Sequence, residues 1–265
     1  MAAVARSAQL ADWALTHGRS SLSTADLAGL LDVPVEQVSR RLAAAVARRE
    51  WVSPARGLWI PVAPEFRSWG APPGLEFVDL LAAHLGVDYY VGWLSAAALH
   101  GAAHHAPQAF QVAVSRHVRD RNVGQTRLTF RIRPRAGKTP VEARETRDGS
   151  ARVSTPEATA LDLARDVTFA GGIDNVATVL AELDEETQLG DAALAAQAKR
   201  APAAAARRLG WLLQEFAGRD DLDRFRGVAL AGPATPARVD PTGSLRGPLD
   251  PKWNVRVNRQ VDADL

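Results

Sequence analysis

The 265-residue chain has no cysteine, which excludes disulfides, thiolate-held metals and cysteine nucleophiles and fits a reducing compartment. Long apolar runs are missing too. No window approaches the roughly 18 uncharged apolar residues that a membrane span needs, and Met1 to Gln9 carry neither an apolar core nor a small-residue cleavage pattern. The expectation is a cytoplasmic protein with no membrane association. No glycine-rich phosphate loop, HExxH or GxSxG occurs, so the common motif-borne chemistries have no support and no cofactor is expected. Lysine is scarce: apart from Lys138, Lys199 and Lys252, the 32 basic residues are arginines, against 30 acidic ones. With a net charge of only +2, the position of the arginines matters more than their number. The 46% hydrophobic content is enough to fill the cores of two domains.

The first 63 residues read as three helices and a hairpin. Val4, Leu10, Trp13 and Ala14 share a helical face from about Ala3 to Leu15, ended by His17-Gly18. Ser23 or Thr24 caps a short helix through Leu31, which Asp32-Val33-Pro34 breaks. A third helix, Val35 to about Arg49, places Val35, Val38, Leu42, Ala45 and Val46 on one side and Gln37, Arg40, Arg41, Ala44 and Arg48 on the other. Trp51-Val52-Ser53 and Leu58 to Val62 alternate as strands around a Pro54-Ala55-Arg56-Gly57 turn. This pattern predicts an N-terminal winged helix-turn-helix, followed after a proline-rich boundary at 61–73 by a mixed α/β domain over 74–265. The fold class is therefore α+β.

In the second part the pattern predicts helices at Leu75 to Leu85 and Trp93 to His100, and strands at Asp88 to Val91, Phe110 to Val114, Val123 to Arg133 and Val141 to Glu145. Leu128, Phe130 and Ile132 would form the apolar face of the long strand, and Thr129, Arg131 and Arg133 its polar face. Ser154-Thr155-Pro156-Glu157 marks a helix start with a capping-box acid. Helices follow from Ile173 to Leu183 and, interrupted near Pro202, from Asp191 to Ala217. Leu222 to Leu249 is proline- and glycine-rich, and residues 253–257 close the chain as a strand.

The third helix is the candidate DNA reader, since the major groove admits one helix and arginine reaches phosphates and guanine edges. Gln37, Arg40, Arg41, Ala44 and Arg48 would face DNA, Ser39 a phosphate, and Arg56 would act as a wing arginine. The alternative is an amphipathic helix whose arginines simply stay solvated. Eight arginines in this part stand against six acids, so a single copy would bind weakly and several copies on repeated half-sites are expected. A basic stretch containing Arg116, Arg119, Arg121, Arg127, Arg131, Arg133, Arg135 and Lys138 is a candidate surface for nucleic acid or an acidic partner, or else the solvated face of a hairpin. His100, His104 and His105 lack nearby carboxylates, and Asp162 and Asp166 form only a pair, so no metal site is expected.

Tyr89 to Gly101 (YYVGWLSAAALHG), Ala106-Pro107-Gln108, Val153 to Leu163 (VSTPEATALDL), Gly171 to Val176 and Trp253 to Asn258 resemble the AbiEi family of antitoxins. That resemblance, which with the N-terminal part covers nearly the whole chain, implies a type IV toxin-antitoxin system with a role in phage defence. It further implies a non-enzymatic protein that binds repeats in its own promoter, represses its operon and counteracts a nucleotidyltransferase-type toxin. The DNA contacts would then fall on Gln37, Arg40, Arg41 and Arg56, with antitoxin activity in the C-terminal domain. Two alternatives stay open: a winged-helix regulator without a toxin partner, and an enzyme modifying the toxin or a nucleic acid through carboxylates such as Asp162.

Overall fold

The computed structural model describes residues 9–102 and 108–264. The positions of Val4, His104 and His105 lie outside them. The fold is α+β, and the chain divides into two compact units. The first comprises residues 1–90, 108–138 and 143–152; the second comprises 91–107, 139–142 and 153–265.

The first unit opens with α1 (Leu10–Thr16), β1 (Leu22–Ser23), α2 (Thr24–Leu31), α3 (Val38–Ala47), β2 (Trp51–Ala55) and β3 (Leu58–Pro61). Ser23 caps α2: its hydroxyl accepts from the Asp26 amide at 3.0 Å, and the Asp26 carboxylate accepts from the Ser23 amide at 2.9 Å. Those bonds hold Asp26 below the usual carboxylate range, the Ser23 side chain contributing most. A carboxylate with a depressed folded pKa stabilises above its unfolded pKa of 3.8, and the contribution disappears as pH falls through the folded value. Asp26→Asn should therefore flatten acid unfolding of this module below about pH 4, measured by far-UV circular dichroism.

The third helix starts later than its sequence pattern suggests, since Val35–Gln37 form a 3-10 turn. Only Val38, Leu42 and Ala45 of the expected apolar side are buried; Val35 and Val46 are 50% and 40% exposed. Val46 lies two turns and about 80° around the helix from Val38, at the edge of the buried stripe.

The hairpin turn is also tighter than expected, with β2 reaching Ala55 and only Arg56-Gly57 between the strands. Gly57 takes φ +88°, a conformation glycine adopts without strain. The sheet order is β1-β3-β2, all antiparallel. Alternation along the hairpin divides two cores. Trp51 and Trp59 pack with Leu10, Leu27, Val38 and Leu42, while Leu58 and Ile60 pack with Phe77, Leu81, Val123 and Leu128. The second of these cores joins β3 to α4 (Gly74–Leu85), β6 (Arg121–Val123) and β7 (Thr126–Ile132).

Residues 121–132 therefore form a hairpin, with Gly124-Gln125 as its turn, and not one long strand. Thr129, expected on the open face, is 7% exposed, whereas Ile132 is 47% exposed. The reason is position: β7 lies between β6 and β5 (Phe110–Val114), so its middle is covered and its end is not. The remaining strands are β4 (Tyr89–Val91), β8 (Val141–Thr146) and β9 (Gly149–Ser154), in the sheet order β6-β7-β5-β4-β9-β8. β5 runs parallel to β7, and β4 parallel to β9.

In the second unit, α5 (Trp93–Leu99), α6 (Pro156–Arg165), α7 (Ile173–Thr187), α8 (Asp191–Ala198), α9 (Ala203–Ala217) and α10 (Asp223–Leu230) pack around α9. A small sheet of β10 (Ala237–Arg238), β12 (Val255–Arg256) and β11 (Leu249–Asp250) closes the chain. Thr155 caps α6, accepting from the Ala158 amide at 3.4 Å. Glu157, expected to reach back to the cap, instead accepts from the Gly190 amide at 3.5 Å. The helix α10 lies in the segment expected to be loop, and its N-terminal amides at Arg224 and Phe225 donate to Asp191, at 3.1 and 2.7 Å.

Every residue of α9 from Ala205 to Leu213 is buried. A Cβ on Gly210 would sit 2.2 Å from the Trp253 ring, which is 1% exposed. Alanine normally favours a helix over glycine by up to about 1 kcal/mol. Here overpacking should win, and Gly210→Ala should destabilise the protein by about 1–3 kcal/mol in urea unfolding.

Candidate nucleic-acid interface

The outer surface of α3 follows from its buried stripe. With Val38, Leu42 and Ala45 turned inward, Ser39, Arg40, Arg41, Ala44 and Arg48 are exposed, as is Gln37 in the preceding turn. Arg40 and Arg41 form no ion pair among the described residues, so two cationic side chains stand open on one helix. Arg48 is held: its guanidinium donates two bonds to Glu50, at 2.8 and 2.9 Å. The same pairing keeps Glu50 below the usual carboxylate range.

Arg56 at the hairpin tip has an exposed side chain, but its backbone is fixed, with the His84 ring donating from Nε2 to the Arg56 carbonyl at 3.0 Å. On the other strand Arg121 donates to the Pro54 carbonyl at 2.8 Å and lies over the Phe130 ring. The hairpin is therefore a pinned element of the first unit, and its one outward cation is Arg56.

The basic stretch divides by role. Arg116 donates to the carbonyls of Leu85 and Gly86, the exposed acceptors at the C-terminus of α4, where a cation also meets the negative end of the helix dipole. Arg121 is half-buried on Pro54, and that burial lowers its pKa. Arg133 donates to the Ile132 carbonyl at 3.3 Å. Arg119, Arg127, Arg131, Arg135 and Lys138 are exposed. Arg127 and Arg131 share a face of β7, opposite Leu128 and Phe130, which face the Phe77 core.

A second group of polar residues lies in the second unit, buried. The His100 ring donates to the Ser154 carbonyl at 2.7 Å, Ser154 Oγ donates to the Val91 carbonyl at 3.2 Å, and Ser154 and Thr159 share a hydroxyl bond of 2.6 Å. Trp93, fully buried, donates its indole N–H to Asp166 at 3.0 Å and meets Phe169 edge-on at 4.9 Å. Its φ of +49° is rare for a bulky residue and is held by those contacts. Asp162 is 8% exposed rather than on the open face of α6. Among the described residues no three histidine or carboxylate side chains converge to hold a metal. The segments around Trp93 and Ser154, separate in sequence, thus meet in a structural network and not in a reactive one.

Sequence reasoning did not find Arg207 and Arg208. Both are buried in α9 and bond only to carbonyls. Arg207 reaches Ala229, Thr235 and Pro233 at 3.0, 2.9 and 2.7 Å, and Arg208 reaches Arg238, Val239 and Ala164 at 2.8, 2.9 and 2.6 Å.

Among curated proteins none matches the chain. The RV2827C protein from Mycobacterium tuberculosis, a solved structure, is similar in fold, with a TM-score of 0.67 and 17% identity over 93% of this chain and 89% of that one. No helix among the described residues is long and apolar enough to cross a membrane. The family model of the AbiEi antitoxin C-terminal domain matches residues 90–215, a span that contains Trp93, His100, Ser154, Thr159 and Asp166. The chain therefore carries an AbiEi-family antitoxin domain.

Proposed function

We propose that residues 1–63 are a winged helix-turn-helix that binds the promoter of the protein's own operon, and that residues 74–265 counteract a nucleotidyltransferase-type toxin of a type IV system. In this reading the protein is a cytoplasmic repressor and antitoxin, not an enzyme. The observation that carries the DNA half is the pair Arg40 and Arg41, exposed and free of ion pairs on a helix whose opposite stripe is buried. The antitoxin half rests on the family match over residues 90–215.

Few open cations on one module give modest affinity, so repression requires several copies on repeated half-sites. Mobility shifts on the protein's own promoter should accordingly show stepwise complexes. Equal affinity for a scrambled fragment would reject sequence-specific repression. Glu50 opposes binding by holding Arg48 and by repelling phosphate. Glu50→Gln should tighten promoter binding about three- to tenfold at low salt, an advantage that shrinks as salt is added.

A further inference from the structure

One flank of α3 borders a groove of about 560 Å³ within the first unit. Ser39, Ala43 and Val46 form one wall, Trp51 and Trp59 line it from the hairpin, and Trp69 stands at the lip, 60% exposed. The lip is fixed: the Gln125 amide donates to the Trp69 carbonyl at 2.8 Å, and a Cβ on Gly124, at φ +57°, would lie 2.5 Å from that oxygen. Trp59 satisfies its indole N–H on Thr24 at 3.0 Å. Trp51 does not. It is 1% exposed, and its Nε1 has no acceptor among the described residues. Arg49 is the charged residue of the lining, and no acid lines it.

Buried N–H groups are paired in nearly all folded proteins, and an unpaired one lining a concave aromatic surface marks a place where a ligand can supply the acceptor. We propose that this groove binds a small planar aromatic carboxylate. The indole faces and Val46 take the ring, Arg49 balances the charge, and the carboxylate accepts from Trp51. Aromatic faces repel anions poorly solvated above them but welcome a ring, so the carboxylate must lie toward Arg49 and the Trp51 edge. This assignment does not depend on α3 reading DNA.

The test is a titration of the full-length chain with 2-naphthoate, followed by ¹H–¹⁵N indole resonances, with 2-naphthylmethylamine as the cationic control. The Trp51 resonance, assigned through Trp51→Phe, should move saturably, and the amine should bind at least tenfold more weakly. Trp69→Ala alters only an exposed lip and should weaken naphthoate at least fivefold without moving the thermal midpoint. Absence of a saturable Trp51 shift, equal binding of the amine, or unchanged affinity in Trp69→Ala would each overturn the proposal. So would Trp51 and Trp69 shifts that grow with protein concentration alone, which would identify the occupant as a second copy of the chain.

Discussion

Replacing Arg208 with alanine is expected to destabilise the protein by about 3–5 kcal/mol and to lower the thermal midpoint by roughly 10 °C. Arg208 is 4% exposed, and its guanidinium joins the carbonyls of Arg238, Val239 and Ala164, tying α9 to the end of α6 and to the strand β10. Burial pushes its pKa down to about 10, with Arg238 adding to the shift and Asp240 opposing it, so it remains charged at neutral pH. Alanine would leave three acceptors without their donor in a dry site, and each lost charge-assisted bond matters more there than at a surface. Lysine keeps the charge but not the planar fork, so Arg208→Lys should recover less than half of the loss. Chemical unfolding of the three proteins checks the ranking; equal stability of Arg208→Ala and wild type would show that the carbonyls find water instead.

Arg40→Ala combined with Arg41→Ala should weaken promoter binding by at least tenfold near physiological salt. If both side chains touch backbone, the dependence of log affinity on log salt should become shallower by about two contacts. Both residues are exposed, so folding should be unaffected, and an unchanged thermal midpoint serves as the control. Unchanged mobility shifts in the double variant would remove α3 from the interface. The opposite change, Glu50→Gln, acts on the same surface with the opposite sign, so the two together test electrostatics rather than fold.

Local signals made most elements legible before the structure. Ser23 followed by Asp26, Pro34 after α2 and Thr155-Pro156 before α6 mark helix boundaries through bonds made within four residues, which sequence records directly. Features set by distant partners were not legible. The helix α10 sits in a segment that reads as loop because its cap is Asp191, more than 30 residues earlier. Arg207 and Arg208 look like surface residues of an alanine-rich helix, and their partners are backbone carbonyls, which every residue type offers alike. In the same way Arg116 and Arg121 belong to a basic stretch by composition, yet bond to Leu85 and Pro54. The signature around Trp93 and His100 was recognisable as a family pattern, while its physical reason, a buried network with Ser154 and Asp166, needed the fold.

The account separates a DNA-binding surface on α3 from an antitoxin domain that contains residues 90–215. The most direct test expresses the cognate nucleotidyltransferase-type toxin in cells together with either the wild-type chain or the Arg40→Ala, Arg41→Ala variant, scoring growth and the activity of the native promoter side by side. The account predicts that the variant loses repression and still rescues growth. Retained repression, or rescue lost together with it, would contradict the division of labour.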